Sequence, residues 1–482
     1  MLQNSNTADY IVIGSGVGGL SSACILKDYG KVLMLEKLHR YGGTSYTFRR
    51  GEFELPAGPL GFSYPDYVNS MFERLNIGRM VFRRKSYQII AGKINFVIPD
   101  SFEKLSKILE RIFPEENMEK AVNELKKVSS EVKGKFVWRE KLCRVNEQRL
   151  KNGALKSISC DMDMVDYSVS AQEYFSSFLR DENAVNLVSS LGFKKSEQSL
   201  GAASIMWDIF CESGIWYPEI GIKGIMDSLF KKIGSKGFSF VKNMEVKKIR
   251  QEEDGFVVSC ERDYFSRKVV SNIDPAFLFE IVDADMRKKL EPLYNKTHGA
   301  SVLTVYAFSD NAAIPFESTH GLYYPFMDEK NEADDNRFYY REVEITVLNR
   351  LESVRYGRDV VILRIPVSYE EFVCKTKEEY YQLKSELSKE LLEVVAPLIG
   401  ERFTILDCAT PLTYEWWGGR YSGSVAGLRW DDGYAECLVE TPVENLYLAG
   451  IYAFSIPFIG GFPSSLFSGI LAGELAVDEN ES

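Results

Sequence analysis

Histidine is scarce in this chain. His39, His298 and His320 are the 3 histidines among 482 residues, and they lie far apart in sequence. That argues against a zinc or iron site built on imidazole, so no metal is expected. The 8 cysteines are scattered, and none forms a CxxC pair. With no signal peptide recognisable, they read as reduced thiols of a cytoplasmic protein. A basic stripe is also missing. At a net charge of −11, nucleic acid is not an expected partner, and Arg83-Arg84-Lys85 reads as a solvated strand end. Nor is there an unbroken membrane span. Residues 446–477 are almost uncharged, but Pro457, Gly460-Gly461 and Pro463 interrupt them. A crossing helix needs about 20 apolar residues in one piece. Peripheral contact with a membrane stays open.

What is present is a globular composition, 45% hydrophobic and 26% charged, in a chain long enough for two domains. Its organising stretch runs from Asp9 to Glu36. Tyr10-Ile11-Val12-Ile13 is β-prone and apolar, fit for a strand buried on both faces. Gly14, Gly16 and Gly19 follow at dinucleotide-turn spacing: a tight turn, a close backbone approach to a pyrophosphate, and close helix–strand packing. A helix from about Val17 to Tyr29 aims its N-terminus, with Ser15 beside it, at that pyrophosphate. Lys31 to Leu35 reads as a second strand. Glu36 ends it, where a carboxylate can accept both ribose hydroxyls of an adenosine. Past Lys37 comes the pair Gly42-Gly43 and then Thr44, where an ordinary NAD domain would enter another βαβ unit. A bare backbone there suits a chain running along a diphosphate and ribityl group.

Gly42 to Phe48 has the pattern GG-x-x-x-T-F, and Gly51 to Gly58 reads GEFELPAG. With the fingerprint and Glu36, these segments resemble the FAD-dependent carotenoid desaturases, carotenoid isomerases and retinol saturases, a branch of the amine-oxidase-like flavoproteins. The resemblance implies non-covalent FAD held at Gly14, Ser15, Gly16, Gly19, Glu36, Lys37, Gly42, Gly43 and Thr44. Val246 would contact adenine through its backbone. Gly450 would end the last strand of the nucleotide domain, and Gly461, Phe462 and Pro463 would open a helix aimed at the flavin, where a helix N-terminus stabilises the charge of the reduced ring. Ile451 stands where many such flavoproteins carry an acid, which removes one ribityl contact.

The expected fold is α/β: a doubly wound, Rossmann-like FAD domain from residues 1–75, 216–280 and 430–482, with a second α+β substrate domain from 76–215 and 281–429. Met244 to Ile249 reads as a strand. Residues 302–308, 343–347 and 360–365 read as strands of a mixed or antiparallel sheet. Leu105, Ile108, Leu109 and Ile112, then Met118, Val122, Leu125 and Val128, form helical stripes. They serve either as core or as a cap over an apolar tunnel. The resemblance implies an oxidoreductase working on an apolar polyene or isoprenoid by desaturation, saturation or cis–trans isomerisation. The electron donor or acceptor is not legible. No acid–base residue stands out, and Trp416, Trp417 and Tyr452 are the substrate-facing candidates. Two rivals remain: a flavin amine oxidase, needing an aromatic cage and a lysine that no motif identifies, and a flavin-binding isoprenoid carrier without turnover.

Overall fold

A computed structural model describes residues 6–136, 159–160, 168–294, 298–310, 314–328, 336–351, 358–373, 376–400, 402–425, 427, 435–455 and 461–478. Pro457, Gly460, Ala426, most of the acidic run after Asp328, and Cys143 and Cys374 lie outside these residues. Among the described cysteines, Cys24, Cys211, Cys260 and Cys408 are free thiols. No described helix is long and apolar enough to cross a membrane.

The first sheet is built around Thr7–Ile13. This strand lies parallel between Val32–Leu35 and Asp263–Ser271, with Phe238–Val241 parallel beyond Val32–Leu35. Asp263–Ser271 is shared along its length. Its first half pairs antiparallel with Gly255–Ser259, and its last three residues pair parallel with Leu446–Leu448. Strands buried on both faces read as continuous apolar runs, and Tyr10 to Ile13 and Val32 to Leu35 are all buried. The Val17–Leu26 helix is likewise apolar all round, because the sheet covers one side and the Gly461–Asp478 helix the other. It stops at Leu26, short of the expected Tyr29, and that end is held by turn bonds from Lys27, Asp28 and Tyr29. Three stretches distant in sequence thus build one nucleotide-type sheet.

The second sheet has the order Thr404–Ala409, Ser301–Ser309, Asp359–Val367, Val343–Val347, His320–Tyr323, Tyr87–Ala91, Ile94–Val97. All its pairs are antiparallel except His320–Tyr323 with Tyr87–Ala91. One face carries Leu303, Val305, Ile345, Val361, Leu363 and Ile365 and packs on the Lys377–Ile399 helix through Leu387, Leu391 and Val394. The other face carries Thr304, Glu344 and Arg364.

The helices Phe102–Ile112, Met118–Phe136, Glu182–Ser190 and Leu200–Asp208 share a separate core with Tyr87, Ile89 and Leu322. Leu105, Leu109, Met118, Val122, Leu125 and Val128 are buried in it. The stripes are therefore core. Among the described residues none between Phe62 and Asn243 lines the main cavity, so this layer does not cap it. Two other expectations are also corrected. Met244 to Lys247 is not strand; the strand is Lys248–Glu252, because Met244 donates instead to the Glu36 carbonyl at 2.8 Å. Lys85 is not a solvated strand end but only 6% exposed.

Candidate functional site

Between the two sheets lies a cavity of 670 Å3, within the ~300–1,000 Å3 range of ligand pockets. It has three walls.

The first wall is the glycine turn. Gly14 N–H donates to the Leu35 carbonyl at 2.8 Å and Gly42 N–H to the Ser15 carbonyl at 2.8 Å, closing the turn against the Gly42-Gly43 pair. A Cβ on Gly19 would sit 2.1 Å from the Gly14 carbonyl oxygen, so only glycine lets helix and strand approach this closely. Gly43 has φ 56°, and a Cβ on it would lie 3.1 Å from the Gly16 Cα, so both glycines leave bare backbone beside the space where a diphosphate would pass. The Glu36 carboxylate is buried. Its Oε2 accepts from Ser15 N at 2.8 Å and Ser15 Oγ at 2.6 Å, and its Oε1 accepts from Leu38 N at 2.9 Å. The Met244 bond to Glu36 brings Val246 into the wall beside it. Gly14, Ser15, Gly16, Glu36, Lys37, Gly42, Gly43 and Thr44 all line the cavity.

The second wall is C-terminal: Gly450, Ile451, Tyr452, Gly461 and Phe462 line it; Pro463 and Gly19 are buried and do not line the cavity. Asp274 caps the Pro275–Ile281 helix through Ala276 N at 3.0 Å. It also accepts from Tyr421 N at 3.1 Å and meets His298 Nε2 at 3.0 Å. Arg420 Nη2 donates to Thr44 Oγ1 at 3.0 Å, and its guanidinium lies 5.5 Å from the Tyr452 ring. Burial raises the Tyr452 phenol well above the usual range, against the nearby Arg420, so at neutral pH it is a neutral hydrogen-bonding group.

The third wall is the second sheet, through Val302, Glu342, Glu344 and Arg364, joined by Tyr414 of the Pro411–Gly418 helix. Arg364 Nη2 donates to the Gly58 carbonyl at 2.6 Å, tying the sheet to the GEFELPAG segment. Tyr306 OH reaches the Pro56 carbonyl at 2.9 Å. Lys85 lies just behind this wall. A Cβ on Gly61 would come within 2.8 Å of its Cδ, and its Nζ is 3.0 Å from Tyr87 OH. Burial pushes the Lys85 ammonium down to about 7, with Glu344 acting against the shift and Arg364 with it.

The Pro411–Gly418 helix sorts the aromatic candidates. Tyr414 and Trp417, three residues apart, share the cavity side. Trp416 points away and packs on Tyr380 with centroids 5.4 Å apart. Trp416 is thus corrected: it is not a cavity residue. Trp417 lines the cavity at its rim, half exposed, and Tyr452 lines it buried. The polar groups Asp274, Arg420, Glu342, Glu344 and Arg364 had no motif to announce them. The trace in the sequence is a single charged residue inside each of two otherwise apolar strands, Glu344 in Val343–Val347 and Arg364 in Asp359–Val367.

This geometry can be set beside known proteins. A family model for NAD(P)-binding Rossmann-like domains matches residues 12–75. All-trans-retinol 13,14-reductase of Danio rerio aligns at 24% identity over 98% of this chain and 86% of its own. Carotenoid 3,4-desaturase of Haloarcula japonica aligns at 23% identity, covering 69% of this chain and 71% of its own. The chain is related to the retinol saturases and carotenoid desaturases. Among solved structures, cyclohexylamine oxidase from Brevibacterium oxydans superposes with a TM-score of 0.62 at 15% identity, covering 98% of this chain and 100% of its own. An oxidoreductase from Methanosarcina mazei gives a TM-score of 0.58 at 18% identity, covering 95% and 99%. This chain thus shares its fold with the structures it superposes on, and the fold alone does not choose a substrate.

Proposed function

We propose that the protein is an FAD-dependent oxidoreductase acting on an apolar polyene or isoprenoid by desaturation, saturation or cis–trans isomerisation. The observation that carries this reading is the continuity of the cavity. One space runs from Glu36, at the nucleotide end, to the face of the second sheet. A dinucleotide lying along the first wall would therefore present its far end to a substrate at the third. Glu36 would accept the ribose hydroxyls, bare backbone at Gly16, Gly42 and Gly43 would pass the diphosphate, and Val246 would meet the adenine. Gly450, Gly461 and Phe462 would close on the ring, and Val302 and Ile451 would exclude water. The bound flavin supplies hydride or electron transfer; the chain supplies position, dryness and electrostatics. In this reading residues 1–75, 216–280 and 430–482 form the cofactor domain, and 76–215 and 281–429 the substrate domain.

A flavin amine oxidase is the second reading. Its support is the buried Lys85 behind Gly61, together with the shared fold. One experiment separates the readings. Purified protein should be yellow or turn yellow with FAD, and anaerobic dithionite should bleach it. Reduced and oxidised protein are then mixed with retinoids, carotenoids and primary amines. Conversion of a polyene supports the first reading. Peroxide release with amines and no polyene conversion overturns it, and tight flavin binding with no turnover of either class leaves a carrier.

A further inference from the structure

The Pro411–Gly418 helix, on the substrate side in the reading above, ends against the glycine turn of the first wall. Gly419 has φ 62° there, and its N–H donates to the Glu415 carbonyl at 3.0 Å, which stops the helix and turns the chain. The two parts come close. A Cβ on Gly418 would lie 2.9 Å from Thr44 Cγ2, and one on Gly419 would lie 3.4 Å from Lys37 Nζ. Lys37 Nζ in turn donates to the Trp416 carbonyl at 3.4 Å, a cation at a helix C-terminus. Arg420 emerges from this turn. Its Nη2 bond to Thr44 Oγ1 holds the guanidinium beside the residue that follows Gly42-Gly43, 5.5 Å from the Tyr452 ring.

Arg420 lines the cavity, is half-buried, and makes no ion pair among the described residues. The carboxylates near it in the chain or in the fold are engaged elsewhere. Asp274 takes Ala276 N, Tyr421 N and His298. Glu415 accepts from Tyr369 OH at 2.6 Å and from Ser422 N at 3.2 Å. A charge taken partly out of water without a counter-ion is unfavourable until an anion meets it. The other cations lining the cavity are Lys37 and Arg364. Lys37 is committed to the helix end, and Arg364 has Glu344 opposite it in its own sheet. Arg420 is therefore the cation left beside the glycine turn. A diphosphate passing the bare backbone of Gly16 and Gly43 brings more negative charge than the roughly half charge of a helix N-terminus offsets. A guanidinium meets phosphate through paired N–H···O bonds, and one bond to Thr44 leaves it donors for that purpose.

We propose that Arg420 binds the diphosphate of the dinucleotide cofactor, reaching it from the substrate side while the glycine turn lets it pass on the other. The inference rests on the dinucleotide reading of the first wall and not on any substrate. Thr44 is a positioning residue, because its hydroxyl holds the guanidinium beside Gly43. The cofactor is then gripped by both parts of the chain, one giving bare backbone and the other giving charge.

The test titrates the whole chain, freed of cofactor, with FAD, with ADP, which keeps the diphosphate, and with adenosine, which lacks it. Arg420→Gln keeps a donor for Thr44 and removes the charge. It should weaken FAD and ADP at least about tenfold, the scale of a charged hydrogen bond, and leave adenosine within about twofold. Arg420→Lys, which keeps the charge and loses the fork, should recover part of the loss. A second measurement needs no substitution. Phenylglyoxal, which modifies arginine, should label Arg420 in the cofactor-free protein, and ADP should protect it where adenosine does not; peptide mass spectrometry reads the site. Undiminished ADP binding by Arg420→Gln, or labelling of Arg420 that ADP leaves unchanged, overturns the assignment and leaves the cofactor reading standing. Weakening of FAD without weakening of ADP places Arg420 at the flavin ring and overturns the diphosphate assignment. Failure of the unmodified protein to bind FAD, ADP or adenosine overturns the cofactor reading, and the role of Arg420 with it.

Discussion

Two residues show what single side chains contribute. Glu36 holds the glycine turn through Ser15 and Leu38 and faces the cavity with the same carboxylate. Glu36→Ala should weaken FAD binding by about 10- to 100-fold, the loss of charged hydrogen bonds worth about 1.5–3 kcal/mol. Titration of apoprotein with FAD checks this, and unchanged affinity would place the ribose elsewhere. Lys85 works against the fold. Its folded-state value of about 7 lies below the ordinary 10.5. Its stability contribution is therefore full above 10.5 and lost as pH falls through 7. Lys85→Met should raise Tm at pH 6 and converge on the parent protein by pH 10.5; thermal melts across that range decide it. Glu36 was legible in the sequence because its role follows from local spacing to Gly14. Lys85, Glu344 and Arg364 were not, because they meet only when the sheet brings the stretch before Tyr87–Ala91 near Val343–Val347 and Asp359–Val367.

Elements tell the same story at longer range. The Val17–Leu26 helix was legible from its glycine turn and apolar run. Its partner across the core was legible as a helix but not as a contact. A Cβ on Gly469 would lie 2.1 Å from both the Gly18 carbonyl and Ser21 Oγ, and one on Gly18 would lie 2.5 Å from Gly450 N. Small residues thus set the distance between the first helix and the last. Gly469→Val should cost at least about 1–3 kcal/mol by overpacking against backbone that cannot move aside. Because Gly450 lines the cavity, FAD retention on gel filtration should fall with it. A variant that melts and retains FAD like the parent would mean the two helices separate freely. The Pro411–Gly418 helix shows why paired tryptophans mislead. Adjacent residues on a helix face about 100° apart, so a Trp-Trp pair cannot wall one slot from a helix with both rings. The helical layer from Phe102 to Asp208 was readable as amphipathic. Amphipathic periodicity gives a buried face without saying what it is buried against, and here that is the end of the second sheet around Tyr87–Ala91.

For the whole molecule, the cavity is a joint product of both sheets, and binding there should be felt throughout. If FAD occupies the first wall, ligand at 100 times Kd should stabilise the fold by about 2.7 kcal/mol. A calorimetric Tm that does not move with added FAD would reject the cofactor assignment without reference to any substrate. The nucleotide sheet was readable from the sequence because its strands are doubly buried and punctuated by glycine. The substrate face was not, because its polar residues look like ordinary surface alternation until the opposing sheet is seen to cover them. One further consequence follows from Leu446–Leu448 pairing with Asp263–Ser271 while the Gly461–Asp478 helix lies on Val17–Leu26. The earliest-made part of the cradle waits, through more than four hundred codons, for the last-made. High contact order of this kind slows folding, and the first strands leave the ribosome long before their lid exists. Cofactor capture therefore belongs after synthesis, and the half-built sheet is the stage at which a chaperone would have the most to hold.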